Sequence, residues 1–207
     1  MTFPNPIITF AVFFALLLIA MTVHEFAHGL VAYKLGDSTA RLSGRLTLNP
    51  LAHIDPFWTI LLPAVLFLST GFIFGAAKPV PVNYWSLKNP KRDMIWIGLA
   101  GPLANFILAF IISGILKFVA PQSLSAYLLF NLLVINVGLA IFNLIPIPPL
   151  DGSNILIGLL PAQLSKQYAN LGRYGLIILF LFIWFGRIDR WIWSLVGAVI
   201  RMMGVGF

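Results

Sequence analysis

The segment His24-Glu25-Phe26-Ala27-His28 carries the residue types and the spacing of a metal-dependent hydrolase, the pattern HExxH. Positions i and i+4 of an α-helix lie on one face, so both imidazoles can hold one ion, and Zn²⁺ favours such nitrogen ligands. Glu25 follows the first ligand, where a carboxylate can take a proton from an attacking water and return it to a leaving amine. The pattern therefore predicts hydrolysis, with His24 and His28 as zinc ligands and Glu25 as the catalytic acid/base.

Glu25 is the only glutamate of the chain, and its surroundings in the sequence are apolar. An ionisable side chain inside a membrane costs at least a few kcal/mol unless it is paired or lies in a watered cavity, so its presence indicates a function. The alternative is a structural role, in which the polar residues join neighbouring helices by hydrogen bonds.

A catalytic zinc site needs a third protein ligand, and the chain has no cysteine to supply one. The remaining candidates are His53, Asp37, Asp55, Asp93, Asp151 and Asp189. We favour Asp151, which closes "NLIPIPPLDG", because the prolines must interrupt the preceding apolar helix. Unwound backbone at membrane depth is tolerated where it lines protein or a water-filled cavity, and there it can present a carboxylate to a metal. The alternative is that Asp151-Gly152 only turns the chain at the surface. We expect one Zn²⁺ per chain.

Composition places these residues in a membrane protein. Of the 207 residues, 60% are hydrophobic and only 9% are charged, against roughly 25% charged in a soluble domain. The net charge of +7 comes from lysines and arginines in short stretches between apolar runs, which indicates membrane topology rather than nucleic-acid binding. We expect an all-α polytopic membrane protein with five or six membrane-embedded helices. It would form a single domain over residues 1–207, with a core at about 7–160 and a C-terminal helical hairpin at about 172–206.

The connection from Gly36 to Pro56 contains an alternating pattern, in which Leu42, Leu46 and Leu48 are separated by polar neighbours. This pattern favours a small β-hairpin at the cytoplasmic edge of the membrane, with Gly44 in its turn. An exposed strand there would accept an extended substrate by strand addition. An irregular loop is the equally weighted alternative.

Three motifs together resemble one family. The HExxH motif, "GPLAN" at Gly101–Asn105 and "NLIPIPPLDG" at Asn143–Gly152 occur in the order typical of the site-2 protease family of intramembrane metalloproteases. The resemblance covers about residues 7–160. It implies cleavage of membrane-spanning protein substrates within or beside the lipid bilayer. The rival interpretation is an inactive zinc-binding membrane scaffold or a metal transporter.

The resemblance also implies residue roles. His24, His28 and Asp151 would bind zinc, Glu25 would be the acid/base, and Asn143 would contact substrate. For Asn143 the alternative is an interhelical hydrogen bond. Asn105 would help to shape the substrate site, and a structural hydrogen bond is its alternative.

Other residues near the motifs have expected roles of their own. Gly98, Gly101 and Ala104 share a helical spacing of small residues, which allows close approach to the helix that carries the histidines. His53 and Asp55 would form a gate or a second polar shell, or simply a surface residue and a cap. We place neither in the zinc site.

Topology follows from the basic residues. His24 lies about 25 Å along the first helix, and Lys34, Arg41 and Arg45 come after it, so the motif faces the cytoplasm by the positive-inside rule. Asp151 must reach the same side to share the metal. The apolar run from Phe57 to Ala77 therefore cannot cross once, and we expect a re-entrant segment broken at Pro63 or Gly71. The protein would reside in a prokaryotic cell membrane.

Overall fold

The structure, a computed structural model, describes residues 5–70, 75–185 and 188–205, and these residues form helices joined by turns and irregular segments. The α-helices are α1 (Pro6–Lys34), α2 (Thr39–Leu42), α3 (Leu62–Thr70), α4 (Pro90–Leu116), α5 (Leu124–Asn143), α6 (Asp151–Leu159), α7 (Ala162–Asn170), α8 (Gly175–Phe185) and α9 (Ile188–Met202). Short 3₁₀ or π-helical turns lie at Pro50–His53, Pro56–Leu61, Tyr84–Ser86 and Leu171–Tyr174.

Among the residues that the structure describes, three helices, α1, α4 and α5, are long and apolar enough to cross a membrane. Side chains cap two of them: Asn5 Oδ1 accepts from the Ile7 N–H at 2.8 Å, and Ser123 Oγ accepts from the Ala126 N–H at 3.1 Å. The prediction of five or six membrane-embedded helices is wrong for the described part of the chain. The other apolar helices are too short, since α3, α8 and α9 have 9, 11 and 15 residues and a crossing needs about 20.

The predicted β-hairpin is also wrong, because the described residues between α1 and α3 contain helical turns and no strand. Asp37 Oδ1 accepts from the Thr39 N–H at 2.9 Å and starts α2, while Asn49 Oδ1 accepts from the Leu51 N–H at 3.1 Å and starts the next turn. Such local side-chain bonds give the backbone an alternative to strand pairing. Gly44 does lie in a turn, with φ at +69°.

The segment after Pro56 folds back, so that Ala76 lies beside Trp58 and Thr59. The Ala76 N–H donates to the Trp58 carbonyl at 3.1 Å, and Thr59 Oγ1 donates to the Ala76 carbonyl at 2.7 Å. A chain that crossed the bilayer once between Trp58 and Ala76 could not make these bonds. Pro63 lies at the second residue of α3 and does not break it, whereas Gly71 falls outside the described residues.

Helix α4 is the centre of the bundle, since it packs against α1, α5 and α6. Away from the histidines, α4, α5 and α9 share a buried apolar cluster of Ala109, Ile112, Leu133, Val137, Val196 and Ile200. Helices α8 and α9 contact each other within the region predicted as a C-terminal hairpin. Because α4 contacts both α1 and α6, it brings the HExxH helix and Asp151 to one place.

Candidate metal centre

Three donor atoms from two distant parts of the chain converge. The Nε2 atoms of His24 and His28 lie 3.0 Å apart on one face of α1. Asp151 Oδ2 lies 3.0 Å from His24 Nε2 and 3.2 Å from His28 Nε2. Both histidines are buried. Within the described ranges, this is the one group of three or more such side chains arranged to hold a metal ion.

The triangle of donor atoms fits zinc. Ligand atoms at the usual 2.0–2.1 Å from a tetrahedral Zn²⁺ lie roughly 3.3–3.4 Å from one another, close to the 3.0–3.2 Å seen here. Asp151 Oδ2 is buried and has no hydrogen-bond partner. His28 Nδ1 lies 2.6 Å from the Ile97 carbonyl, which can only accept, so in the neutral ring the lone pair is on Nε2. Buried lone pairs and a carboxylate facing one another call for a cation between them.

Glycines on α4 and α6 make this convergence sterically feasible. A Cβ at Gly101 would lie 2.4 Å from His28 Nε2 and 2.6 Å from His24 Nε2, and a Cβ at Gly98 would lie 3.0 Å from the Asp151 carbonyl. A Cβ at Gly152 would meet the Leu144 carbonyl at 2.3 Å. The close approach to the histidine helix predicted for these glycines is seen at Gly101, whereas Gly98 lies against the segment of Asp151.

Glu25 is half-buried, and its carboxylate is held by backbone. Its Oε2 accepts from the Val80 N–H at 2.8 Å. We call residues 78–83 the strap. The strap is fixed on the N-terminal side of Val80, since the Lys78 N–H donates to the His53 carbonyl at 2.9 Å and Arg45 Nη1 donates to the Pro79 carbonyl at 2.9 Å. The strap therefore orients the proposed acid/base.

The far end of the strap is fixed by an aspartate. The Asn83 N–H donates to Asp37 Oδ2 at 2.7 Å. Burial by itself raises the pKa of Asp37, but the hydrogen bonds from Thr39 and from the Asn83 N–H outweigh it and hold the pKa below its usual value. Asp37 thus remains an ionised anchor for the strap and lies outside the donor triangle.

The remaining predicted residues lie outside the triangle, and of these Asn105 contacts one of its members. Asn143, the last residue of α5, is half-buried and donates through Nδ2 to the Leu139 carbonyl of its own helix at 3.0 Å. Asn105 is fully buried and its Oδ1 lies 2.6 Å from His24 Nδ1. His53 is buried, with Nε2 at 2.9 Å from the Thr47 carbonyl. Asp55 caps the helical turn that follows it, accepting from the Phe57 and Trp58 N–H groups.

Two contributors were not found from the sequence. The Val80 N–H is a backbone group, and no residue pattern marks it. Asn136 of α5 is fully buried and accepts from Asn105 Nδ2 at 2.7 Å. A polar side chain in the middle of an apolar membrane helix is a signal that could have singled it out.

Apolar helices around a His–His–Asp donor set, with a glutamate beside the first ligand, define a membrane-embedded, metal-dependent hydrolase. The chain matches the family described as Peptidase family M50 over residues 12–126 and 118–185. It belongs to this family, the site-2 proteases, and the resemblance seen in the three motifs is confirmed.

The names of related proteins agree with this family assignment. The Bacillus subtilis protein named "Putative zinc metalloprotease YwhC" is 39% identical over 78% of this chain and 75% of its own length. "Putative zinc metalloprotease Rip2" of Mycolicibacterium smegmatis is 30% identical over 91% of this chain and 72% of its own. "Zinc metalloprotease MJ0392" of Methanocaldococcus jannaschii is 30% identical over 86% of this chain, which spans 44% of that protein. No solved structure matches the chain.

The chain is therefore an integral membrane zinc metalloprotease that acts on membrane substrates. The rival interpretation, an inactive scaffold or a metal transporter, is not favoured by the family or by the names of the relatives.

Proposed function

We propose that His24, His28 and Asp151 bind the zinc ion, that Glu25 is the general acid/base, and that the site cleaves membrane-spanning proteins from the cytoplasmic side. The observation that carries the proposal is the meeting of His24 Nε2, His28 Nε2 and Asp151 Oδ2 within 3.0–3.2 Å of one another. The glutamate adjacent to the first ligand completes the set of groups that peptide hydrolysis needs.

The reaction is the addition of water across a peptide bond. When bound, zinc supplies Lewis acidity that polarises the scissile carbonyl and makes water more acidic. The Glu25 carboxylate accepts a proton from the water whose oxygen attacks the carbonyl carbon. It then delivers that proton to the amide nitrogen as the C–N bond breaks, leaving a carboxyl and an amine. The Val80 N–H, 2.8 Å from Glu25 Oε2, holds the carboxylate in one orientation for both transfers.

Substrate must arrive in an extended form. The amides of a membrane helix are bonded internally, so a scissile bond becomes available only where the substrate helix unwinds. The position of Asn143 supports a role in substrate contact. It is the last residue of α5, immediately before the proline-rich segment that leads to Asp151. Its carboxamide would hold the extended backbone or stabilise the developing oxyanion.

The side of the membrane that the site faces can be inferred from the positions of the lysine and arginine residues. The ligands lie in the C-terminal part of α1, whose last turn contains Lys34, and Arg41 and Arg45 follow in the connection to α3. An excess of lysine and arginine marks the cytoplasmic face, so this end of α1 points inwards. Relatives in bacteria and an archaeon support a prokaryotic cell membrane.

Zinc content and cleavage, measured together on purified protein in detergent, test the proposal. We expect about one zinc per chain in the wild type, little in His24→Ala and Asp151→Ala, and full zinc without cleavage of a model membrane substrate in Glu25→Gln. Asp55→Asn, an acid outside the triangle, serves as the matched control and keeps its zinc. Full zinc in Asp151→Ala, or undiminished cleavage by Glu25→Gln, would overturn the assignment.

A further inference from the structure

We propose that Asn136 of α5 is a positioning residue for the zinc site, acting through Asn105 of α4 to fix which nitrogen of His24 carries the proton. The two asparagines and His24 form a hydrogen-bonded relay across all three candidate membrane spans. The inference rests on the proposed role of His24 as a ligand and extends it to a residue that does not touch the metal.

The first step concerns Asn105, which is fully buried. Its amide group has two hydrogens, and both are used, because Nδ2 donates to the Ala20 carbonyl at 3.1 Å and to Asn136 Oδ1 at 2.7 Å. The other end of the carboxamide, Oδ1, lies 2.6 Å from His24 Nδ1. An amide oxygen can only accept, so the hydrogen of this bond belongs to His24 Nδ1.

The second step is that neither asparagine can be reversed. If Asn105 flipped, its oxygen would face the Ala20 carbonyl and Asn136 Oδ1, both of which are acceptors. If Asn136 flipped, its oxygen would face the Leu132 carbonyl, to which Nδ2 now donates at 2.8 Å. The direction of every bond in the relay is therefore set by two backbone carbonyls, at Ala20 and Leu132. Amide orientations assigned from such a network are unambiguous when the terminal groups can act in only one way.

The third step is the consequence for the ligand. With its hydrogen on Nδ1, the neutral His24 ring has its lone pair on Nε2, the atom 3.0 Å from Asp151 Oδ2. His28 is fixed in the same way by the Ile97 carbonyl, 2.6 Å from its Nδ1. That second partner is a backbone group that no side-chain substitution removes. Of the two interactions that fix the histidine tautomers, only the asparagine relay can therefore be removed by substituting a side chain.

A measurement of zinc affinity distinguishes this positioning role of Asn136 from a role in helix–helix packing alone. In Asn136→Leu the shape is roughly kept, but Asn105 Nδ2 loses one of its two acceptors, and only the Ala20 carbonyl still opposes reversal of the carboxamide. Loss of a group bonded directly to a ligand typically costs 10–100-fold in metal affinity, and because Asn136 acts one bond further out, the lower end of that range applies. We expect a rise of that size in the zinc Kd, measured by chelator competition, and recovery of cleavage at saturating zinc.

The same helix offers a matched control. Asn131 donates through Nδ2 to the Tyr127 carbonyl at 2.7 Å, the same kind of bond within α5 that Asn136 makes to Leu132. Asn131→Leu therefore removes an equivalent intrahelical bond without touching the relay, and its zinc Kd should stay within about twofold of wild type. Equal zinc Kd values for Asn136→Leu and Asn131→Leu would overturn the proposal.

A measurement on the unsubstituted protein covers the case in which Asn136→Leu does not fold. The ¹⁵N NMR signals of the zinc-free wild type, labelled at its three histidines and assigned with His24→Gln, report the tautomer directly. We expect His24 to be protonated at Nδ1, and a neutral ring protonated only at Nε2 would refute the relay. Zinc retention by Asp151→Ala would instead refute the proposed ligand set and leave this result standing.

Discussion

Gly101→Ala is a one-methyl substitution aimed at the point where α4 meets the two histidine rings. The added Cβ would lie 2.4 Å from His28 Nε2, 2.5 Å from His24 Cε1 and 2.6 Å from His24 Nε2. Ordinary contacts between such atoms are about 3.5 Å or more. The rings must therefore move by about 1 Å, roughly five times the ±0.2 Å that ligand positions usually tolerate.

The energetic effect should fall on metal binding. Overfilling a packed site costs about 1–3 kcal/mol, and alanine gains about 1 kcal/mol over glycine as a helix former. Without zinc the rings can relax away from the methyl group, so the unfolding free energy should change little. With zinc they cannot, and 1–3 kcal/mol corresponds to a zinc Kd about 5–150 times higher.

Gly114→Ala provides the control, because it lies on the same helix and a Cβ there meets nothing within 4 Å. Both variants gain the same helix propensity, but only Gly101→Ala should lose zinc, as measured by chelator competition, and with it the cleavage of a model membrane substrate. A Gly101→Ala protein with wild-type zinc affinity and cleavage would show that the histidine rings are not held against α4 as described.

Two further predictions concern stability. Chelation of zinc should lower the thermal midpoint of the wild type but not that of Asp151→Ala. The reason is that a ligand at 100 times its Kd stabilises the folded state by about 2.7 kcal/mol. Equal midpoints of the wild type with and without chelator would contradict the proposed zinc site. Asp37→Ala should cost about 1–3 kcal/mol at neutral pH, because the partly buried hydrogen bonds from the Thr39 and Asn83 N–H groups lose a charged acceptor. The pKa of Asp37 is lowered in the folded state, so this contribution is fully present above its usual value near 3.8 and fades as the pH falls through the lower folded value. Thermal unfolding of Asp37→Ala and wild type at pH 7 and below pH 3 should therefore differ less at the acid pH.

The donor triangle could be predicted because the types and the spacing of its residues are sufficient to indicate a metal site. Two histidines at i and i+4 share a helix face whatever surrounds them, and a proline run before Asp151 must end a helix whatever follows. The segment after α1 could not be predicted in the same way. Its alternating leucines fit a strand, but hydrogen bonds donated by backbone N–H groups to Asp37 and Asn49 favour helical turns, and Leu42 and Leu48 are exposed.

The number of membrane helices was overestimated for a related reason. The apolar runs near residues 175–202 form α8 and α9, which have only 11 and 15 residues and are too short to cross. Hydropathy identifies residues that avoid water and does not fix the length of each helix. The run after Pro56, expected to be re-entrant, does bring Ala76 back to Trp58. The strap and the asparagine relay were missed because each depends on contacts between residues far apart in the chain, such as Val80 with Glu25 and Asn105 with Asn136.

The pattern of satisfied and unsatisfied polar groups is itself an argument for the metal. Asn105 and Asn136 lie fully buried among apolar helices, and their bonds are complementary. Two buried side-chain atoms of the described residues lack a hydrogen-bond partner, His53 Nδ1 and Asp151 Oδ2. The first is a ring nitrogen outside the metal-binding group, and leaving such an atom buried without a partner costs about 1–3 kcal/mol. The second is part of a carboxylate, whose burial without compensation costs several kcal/mol. A fold that satisfies the neighbouring amides and leaves this oxygen facing two imidazoles at 3.0–3.2 Å is therefore suited to binding a cation there.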